Sequence, residues 1–112
     1  MKRIAILASG SGTNAQRLME HFAAYAEARV VLVGCDQPGA GVLKRAWDQQ
    51  VPSYLFGKQE LKDGTLLREL QQQRIDLVVL AGFMRLIPAE MVQAFPQRIV
   101  NIHPALLPKY GG

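Results

Sequence analysis

The sequence contains five short runs of mostly apolar residues in which apolar and polar positions hardly alternate. Such runs are typical of strands buried on both faces of a parallel sheet, because a strand with one wet face alternates instead. They predict strands at Arg3 to Ala8, Arg29 to Cys35, Ser53 to Leu55, Leu77 to Ala81 and Ile99 to Ile102. Parallel strands need crossover connections, so helices are expected between them.

Helix-length segments fill the intervals between these runs. Apolar spacing predicts helices over Asn14 to Ala26, Ala40 to Gln50, Gln59 to Arg74 (with a weak point at Gly64) and Pro88 to Phe95. The face of the second helix expected to cover the sheet consists of Val42, Leu43, Ala46 and Trp47. With right-handed crossovers, this order predicts an α/β fold: a doubly wound, mainly parallel open sheet in one domain over residues 1–112. Ligands of such sheets bind at the carboxyl ends of the strands.

The composition argues against several classes of protein. A hydrophobic fraction of 49% with 20% charged residues is ordinary for a globular chain. The net charge of +4 comes from basic residues scattered along the chain, so no nucleic-acid partner is expected. No apolar run approaches the ~18 residues of a membrane span. The single cysteine, Cys35, lies in an apolar run, which predicts a core residue and fits a reducing cytoplasm.

The first predicted strand runs directly into a glycine-rich loop, Ser9-Gly10-Ser11-Gly12-Thr13-Asn14, and then into a helix. Backbone N–H groups and the positive end of the helix dipole would face an anion there, which favours a phosphate site. Alternatively, the serines and glycines simply cap the helix and make the turn. With Ala15 the loop also fits the G-x-G-x-x-A dinucleotide fingerprint, for which Asp36 would hold a ribose, although Asp36-Gln37-Pro38-Gly39 is also typical of a simple turn.

Two polar side chains lie at the carboxyl end of the last predicted strand, Asn101 within it and His103 directly after it. Strand alternation sends both to the same side at the carboxyl end of the strand, where they can face one pocket. The loop after the fourth strand, Gly82 to Pro88, opens on the same edge, although Phe83 and Met84 also suit a core and Arg85 a solvated surface. Together the three loops predict an anion site, an apolar slot and a polar pair in one cleft.

Three segments resemble the phosphoribosylglycinamide formyltransferases of purine biosynthesis. The segments are Ser9-Gly10-Ser11-Gly12-Thr13-Asn14, Leu80-Ala81-Gly82-Phe83-Met84-Arg85 and Asn101-Ile102-His103-Pro104-Ala105-Leu106-Leu107-Pro108-Lys109-Tyr110. The resemblance implies a Rossmann-like formyltransferase fold and formyl transfer from 10-formyltetrahydrofolate to the amine of glycinamide ribonucleotide, without a metal. It implies phosphate binding by Gly12, Thr13 and Asn14, and folate binding by Met84, Arg85, Leu86, Ile87 and Asn101. Asn101 and His103 would be catalytic.

The chain departs from the family pattern in its length. Family members have roughly 200 residues and place beyond the signature an Asp that pairs with the His, whereas this chain ends at Gly112. We therefore expect it to be an amino-terminal half that lacks its carboxyl-terminal partner and has little activity alone. The basic residue that helps to bind folate would be Lys58 or Lys62.

Other interpretations remain. The signature around His103 also resembles those of methionyl-tRNA formyltransferases and formyltetrahydrofolate hydrolases. A different class is an NAD-binding oxidoreductase domain, which would use Gly10, Gly12, Ala15 and Asp36. A third class is a non-catalytic phosphate-binding module.

Overall fold

The computed structural model describes residues 1–102, in which five parallel strands form one sheet in the order β3-β2-β1-β4-β5. The strands are β1 (Lys2–Ala8), β2 (Ala28–Cys35), β3 (Ser53–Leu55), β4 (Leu77–Ala81) and β5 (Ile99–Ile102). The predicted strands are thus confirmed to within one residue at each end. The doubly wound α/β sheet is confirmed as well, with the strand order reversing at β1.

Five helices connect the described strands, where the sequence predicts four. They are α1 (Thr13–Ala23), α2 (Gly41–Asp48), α3 (Lys58–Lys62), α4 (Thr65–Gln72) and α5 (Ala89–Ala94). The single helix predicted over Gln59 to Arg74 is wrong, because Gly64 has φ +89° and breaks it. The Asp63 carboxylate then accepts hydrogen bonds from the Thr65 backbone N–H (2.9 Å) and hydroxyl (2.6 Å), which starts α4 as a separate helix.

Two apolar layers lie on the two faces of the sheet. Strand β1 supplies both by alternation, sending Ile4 and Ile6 to one face and Ala5 and Leu7 to the other. Helices α1 and α2 cover the first face, with Ala15, Met19, Val42 and Ala46 buried. Helices α3, α4 and α5 cover the second, with Leu61, Leu66, Leu70 and Met91 buried. Cys35 is fully buried in the first layer, as predicted.

The expectation that Trp47 covers the sheet is wrong, since its side chain is 82% exposed. Val42 and Ala46 lie four residues apart on one helical face and are fully buried. Trp47 follows Ala46 by one residue, which rotates it by about 100° away from that face. Helix α1 likewise ends at Ala23, three residues before the predicted end at Ala26.

No helix within residues 1–102 is long and apolar enough to cross a membrane.

Candidate active site

The glycine-rich loop joins β1 to α1 at the point where the strand order reverses. Gly12 is the residue before α1 and has a left-handed backbone with φ +81°. A Cβ atom added there would lie 2.5 Å from Val42 Cγ2, so the loop packs against α2 more closely than any other residue would allow. The loop conformation therefore depends on glycine at this position.

The carbonyl groups of the glycine-rich loop are held by neighbouring helices. Gly10 O accepts from the Val42 backbone N–H (3.1 Å), and Gly12 O accepts from the Gln16 N–H (2.8 Å). Ser11 O accepts from Arg45 Nε (2.6 Å), and the same guanidinium donates to Gln16 Oε1. Arg45 thus fastens the loop to both α1 and α2.

Unlike its carbonyl groups, four consecutive backbone N–H groups of this loop have no hydrogen-bond partners within the described residues. Within residues 1–102, the backbone N–H groups of Ser11, Gly12, Thr13 and Asn14 donate to no carbonyl group, and no side chain caps α1. Four free donors at the N-terminus of a helix form a site for an anion, which the helix dipole also favours. This geometry supports the phosphate site predicted from Gly12, Thr13 and Asn14 over a purely structural cap.

A buried carboxylate, Asp36 at the end of β2, connects the loops after β1 and β4. Ser9 Oγ donates to Asp36 Oδ1 (2.6 Å), and Arg85 Nε donates to Asp36 Oδ2 (2.7 Å). The Met84 backbone N–H donates in turn to Ser9 Oγ (3.0 Å), and the Ser9 N–H donates to Gly82 O (3.3 Å). The loops after three strands therefore form one connected edge.

The environment of Asp36 keeps its carboxyl group ionised. Burial raises the pKa of Asp36, but hydrogen bonds from Ser9, Arg85 and Gln37 outweigh burial and hold the pKa below its ordinary value of 3.8. For the thiol of Cys35, the preceding residue, burial is the main cause of a raised pKa, and the negative charge of Asp36 adds to it. The Cys35 thiol is therefore in its neutral, unreactive form near neutral pH.

The 84–87 segment, Met84 to Ile87, lies between β4 and α5 and lines a pocket of about 460 Å³. Met84 and Leu86 are 82% and 93% exposed, so the view of Met84 as a core residue is wrong. Phe83 packs partly buried against the second apolar layer, on Phe56. Lys58 and Lys62 also line the pocket, which brings both candidate basic residues to the predicted folate residues. The pocket thus combines apolar walls with the cationic side chains of Lys58, Lys62 and Arg85.

Asn101 is an exposed residue near the end of β5 and pairs in register with Leu80 of β4. Its strand is the neighbour of β4, the strand that leads into the 84–87 segment, so the two lie at the same edge of the sheet. His103 lies outside the described residues, so its alternation with Asn101 stays a prediction. Residues 1–102 contain no group of three or more His, Cys, Asp or Glu side chains that could hold a metal ion.

Sequence reasoning missed the roles of Ser9 and Arg45 and misread that of Asp36. Asp36 looked like a turn residue or a ribose ligand, although its position at the end of a buried strand is a usable signal for a site. Arg45 gave no signal, because one charge on the polar side of a helix is ordinary.

The chain matches the model of the formyl transferase family over residues 2–112. It is similar to the trifunctional purine biosynthetic protein adenosine-3 of Drosophila melanogaster, with 44% identity over 99% of this chain and 9% of that protein. It is also similar to the phosphoribosylglycinamide formyltransferase of Bacillus subtilis, with 34% identity over 100% of this chain and 60% of that protein.

The solved structures agree with these similarities. The fold matches the crystal structure of glycinamide ribonucleotide transformylase 1 from Geobacillus kaustophilus with a TM-score of 0.84 and 44% identity, over 100% of this chain and 63% of that one. The chain thus spans less than two thirds of the length of these relatives. By the family match and the shared fold, the chain belongs to the formyl transferase family.

Proposed function

We propose that this chain supplies the phosphate-binding and folate-binding parts of an enzyme that transfers a formyl group from 10-formyltetrahydrofolate to the amine of glycinamide ribonucleotide in purine biosynthesis. The observation that carries the proposal is the single edge at which the glycine-rich loop and the 84–87 segment are joined through Ser9 and Asp36. The names of the relatives at 34% and 44% identity support the same substrate.

The free N–H groups of the glycine-rich loop suit the phosphate of glycinamide ribonucleotide. The phosphate would be bound by Gly12, Thr13 and Asn14. Arg45 would hold the loop in this conformation through its hydrogen bond to Ser11 O. A phosphate needs several donors at once, and a helix N-terminus provides them without reorganisation. This arrangement favours a small phosphorylated amine over the tRNA or water of the other formyl-folate enzymes.

The pocket beside the 84–87 segment suits the folate. Its apolar lining, including Leu61, Leu86 and Ile87, would hold a flat ring system. Lys58 and Lys62 at the same pocket would attract the carboxylates of a folate tail.

Asn101 of β5 and His103, which follows that strand in the sequence, would act on the formyl group. When the amine of the ribonucleotide attacks the formyl carbon, the carbonyl oxygen becomes an oxyanion, which the Asn101 amide and a protonated His103 can stabilise by donating hydrogen bonds. His103 can also supply, directly or through water, the proton that the departing folate nitrogen needs. The attacking amine loses a proton as the bond from the formyl carbon to the folate nitrogen breaks, so the transfer consumes no net proton and the protonated His103 is restored.

The NAD-binding interpretation loses its main support in the structure. That interpretation needs the Asp36 carboxylate to accept hydrogen bonds from a ribose, but Asp36 is 5% exposed and already accepts from Ser9, Arg85 and Gln37. Dinucleotide binding would require this network to open.

Calorimetric titration of the 112-residue chain with glycinamide ribonucleotide and, separately, with NADH tests the proposal. We expect saturable binding of the ribonucleotide that inorganic phosphate competes away, and no binding of NADH. Far-UV circular dichroism of the same sample verifies that the chain is folded. Tight NADH binding by a folded chain that ignores the ribonucleotide would overturn the proposal.

A further inference from the structure

Asp36 is the one polar or charged side chain that is buried within residues 1–102, with 5% of its surface exposed. A buried carboxylate is costly unless hydrogen bonds satisfy it. A turn at Gln37 to Gly39 does not need one, since Pro38 and Gly39 favour a turn by their own backbone preferences. The burial of Asp36 therefore calls for an explanation other than the turn.

The contacts of Asp36 divide between its two oxygens. Oδ1 accepts from the Ser9 hydroxyl (2.6 Å), which stands at the entrance of the glycine-rich loop. Oδ2 accepts from Arg85 Nε (2.7 Å), which belongs to the 84–87 segment and lines its pocket. Ser9 Oγ also accepts from the Met84 N–H (3.0 Å), so the two halves of the network are joined.

We propose that Asp36 is a positioning residue for both substrate sites, holding the glycine-rich loop through Ser9 and the 84–87 segment through Arg85. This inference rests on the proposed function. The loops after β1 and β4 also contact each other directly through Ser9, and the carboxylate of Asp36 adds a charged support that fixes the Ser9 hydroxyl and the Arg85 guanidinium relative to each other. Since a reacting amine and formyl carbon must meet within a narrow range of distances, such a common support serves transfer between two bound substrates.

Two variants of Asp36 separate its two contacts. Asp36→Ala removes the hydrogen bonds from Ser9 and Arg85 together with the longer one from Gln37 Nε2 (3.3 Å), and we expect affinity for glycinamide ribonucleotide and for 5-formyltetrahydrofolate to fall roughly tenfold each. Asp36→Asn keeps an oxygen that can accept from Ser9 but puts an amide nitrogen, which cannot accept, towards Arg85. It should therefore recover the affinity for the ribonucleotide and not that for the folate.

Two further variants serve as controls in the same calorimetric titrations. Asp48→Asn makes the same charge change as Asp36→Asn at an exposed carboxylate that pairs with Lys44 on the helix surface, and it should leave both affinities unchanged. Leu66→Val removes a methylene group from the buried α4 face and measures what general destabilisation does. A loss of both affinities in Asp36→Ala that merely matches Leu66→Val would overturn the proposal, as would unchanged affinities.

Hydrogen exchange of the Met84 amide tests the positioning role without any ligand. In Asp36→Ala the Ser9 hydroxyl loses its anchor, so exchange at Met84 should quicken roughly tenfold while the amides of β1 and β4 keep their rates. An unchanged Met84 rate would refute the positioning role even if the variants bind poorly. If the unaltered chain binds neither ligand, the proposed function fails, and the Met84 rate still decides whether Asp36 holds the two loops together.

Discussion

Gly12 is the residue on which the phosphate site most depends. Gly12→Ala places a methyl group 2.5 Å from Val42 Cγ2 at a position with φ +81°. We expect the free energy of unfolding to fall by at least about 2 kcal/mol, because strain and overpacking add. Chemical denaturation measures this loss. Gly10→Ala is the control: among residues 1–102, no atom beyond its two chain neighbours lies within 4 Å of the added Cβ, so stability should change by less than about 0.5 kcal/mol. Equal losses in the two variants would show that the loop does not pack as described.

The ionised carboxylate of Asp36 gives the protein a pH-dependent stability. Its pKa in the folded state lies below the ordinary value of 3.8, so the charged form stabilises the fold above that pH. We expect the stability difference between the unaltered chain and Asp36→Asn to be constant from about pH 7 to pH 5 and to shrink as the pH falls below about 4. Urea denaturation across this range provides the measurement. A difference that grows on acidification would contradict the assigned hydrogen bonds.

Asn101 and His103 are the residues predicted to act on the formyl group. We expect Asn101→Ala and His103→Ala each to lower kcat by roughly 10²-fold or more, because each removes a donor to the developing oxyanion. The rates are measured in a protein that joins this chain to the part of the Bacillus subtilis relative outside the matched region. Gln93→Ala, an exposed change on α5, is the control. Full activity of His103→Ala would remove the proposed mechanism.

At the scale of elements, α2 holds the glycine-rich loop in place through hydrogen bonds to its carbonyl groups. Arg45→Gln shortens the side chain and removes the guanidinium that donates to Ser11 O and Gln16 Oε1, and we expect affinity for glycinamide ribonucleotide to fall about fivefold, as for a loss of ~1 kcal/mol. The neighbouring Lys44→Gln makes the same charge change at an exposed surface pair and should alter affinity little. If both variants lose affinity equally, the effect of Arg45 is general electrostatics, which salt would screen.

The predictability of these elements follows the physical signals that each one carries. The strands were predictable because burial on both faces of the sheet requires apolar residues at successive positions, which gives a continuous apolar run in the sequence. The split between α3 and α4 depends on the local choice of a left-handed backbone at Gly64, which a weak helix position suggests but does not determine. Trp47 was misjudged because a large apolar side chain one residue after Ala46 fits an amphipathic pattern almost as well as the true face.

The predictions for the site also divide into those that rest on local sequence signals and those that depend on contacts in the folded chain. The prediction for Gly12, Thr13 and Asn14 uses a local signal, a loop between a strand and a helix, and the prediction for the 84–87 segment uses its place after a strand of the same sheet. The network of Ser9, Asp36 and Arg85 was not, since its members are separated by 27 and 49 residues along the chain. Such contacts depend on the register of the folded sheet.

At the scale of the whole molecule, β5 is an edge strand of the sheet within residues 1–102. Val100 is 45% exposed on it, and an open edge with apolar side chains invites pairing with another chain. We expect the 112-residue chain to self-associate in a concentration-dependent way, as measured by sedimentation velocity. Joining it to the remaining part of the Bacillus subtilis relative should suppress the association. A chain that stays monomeric at high concentration would show that this edge is covered.

Formyl transfer from 10-formyltetrahydrofolate to glycinamide ribonucleotide by that joined protein tests the central claim most directly. We predict transfer by the joined protein, and little or none by the 112-residue chain or by the added part alone, because the chain spans 60% of that relative. A joined protein that is folded and binds both substrates, yet transfers no formyl group, would contradict the claim that this edge is half of a formyltransferase site.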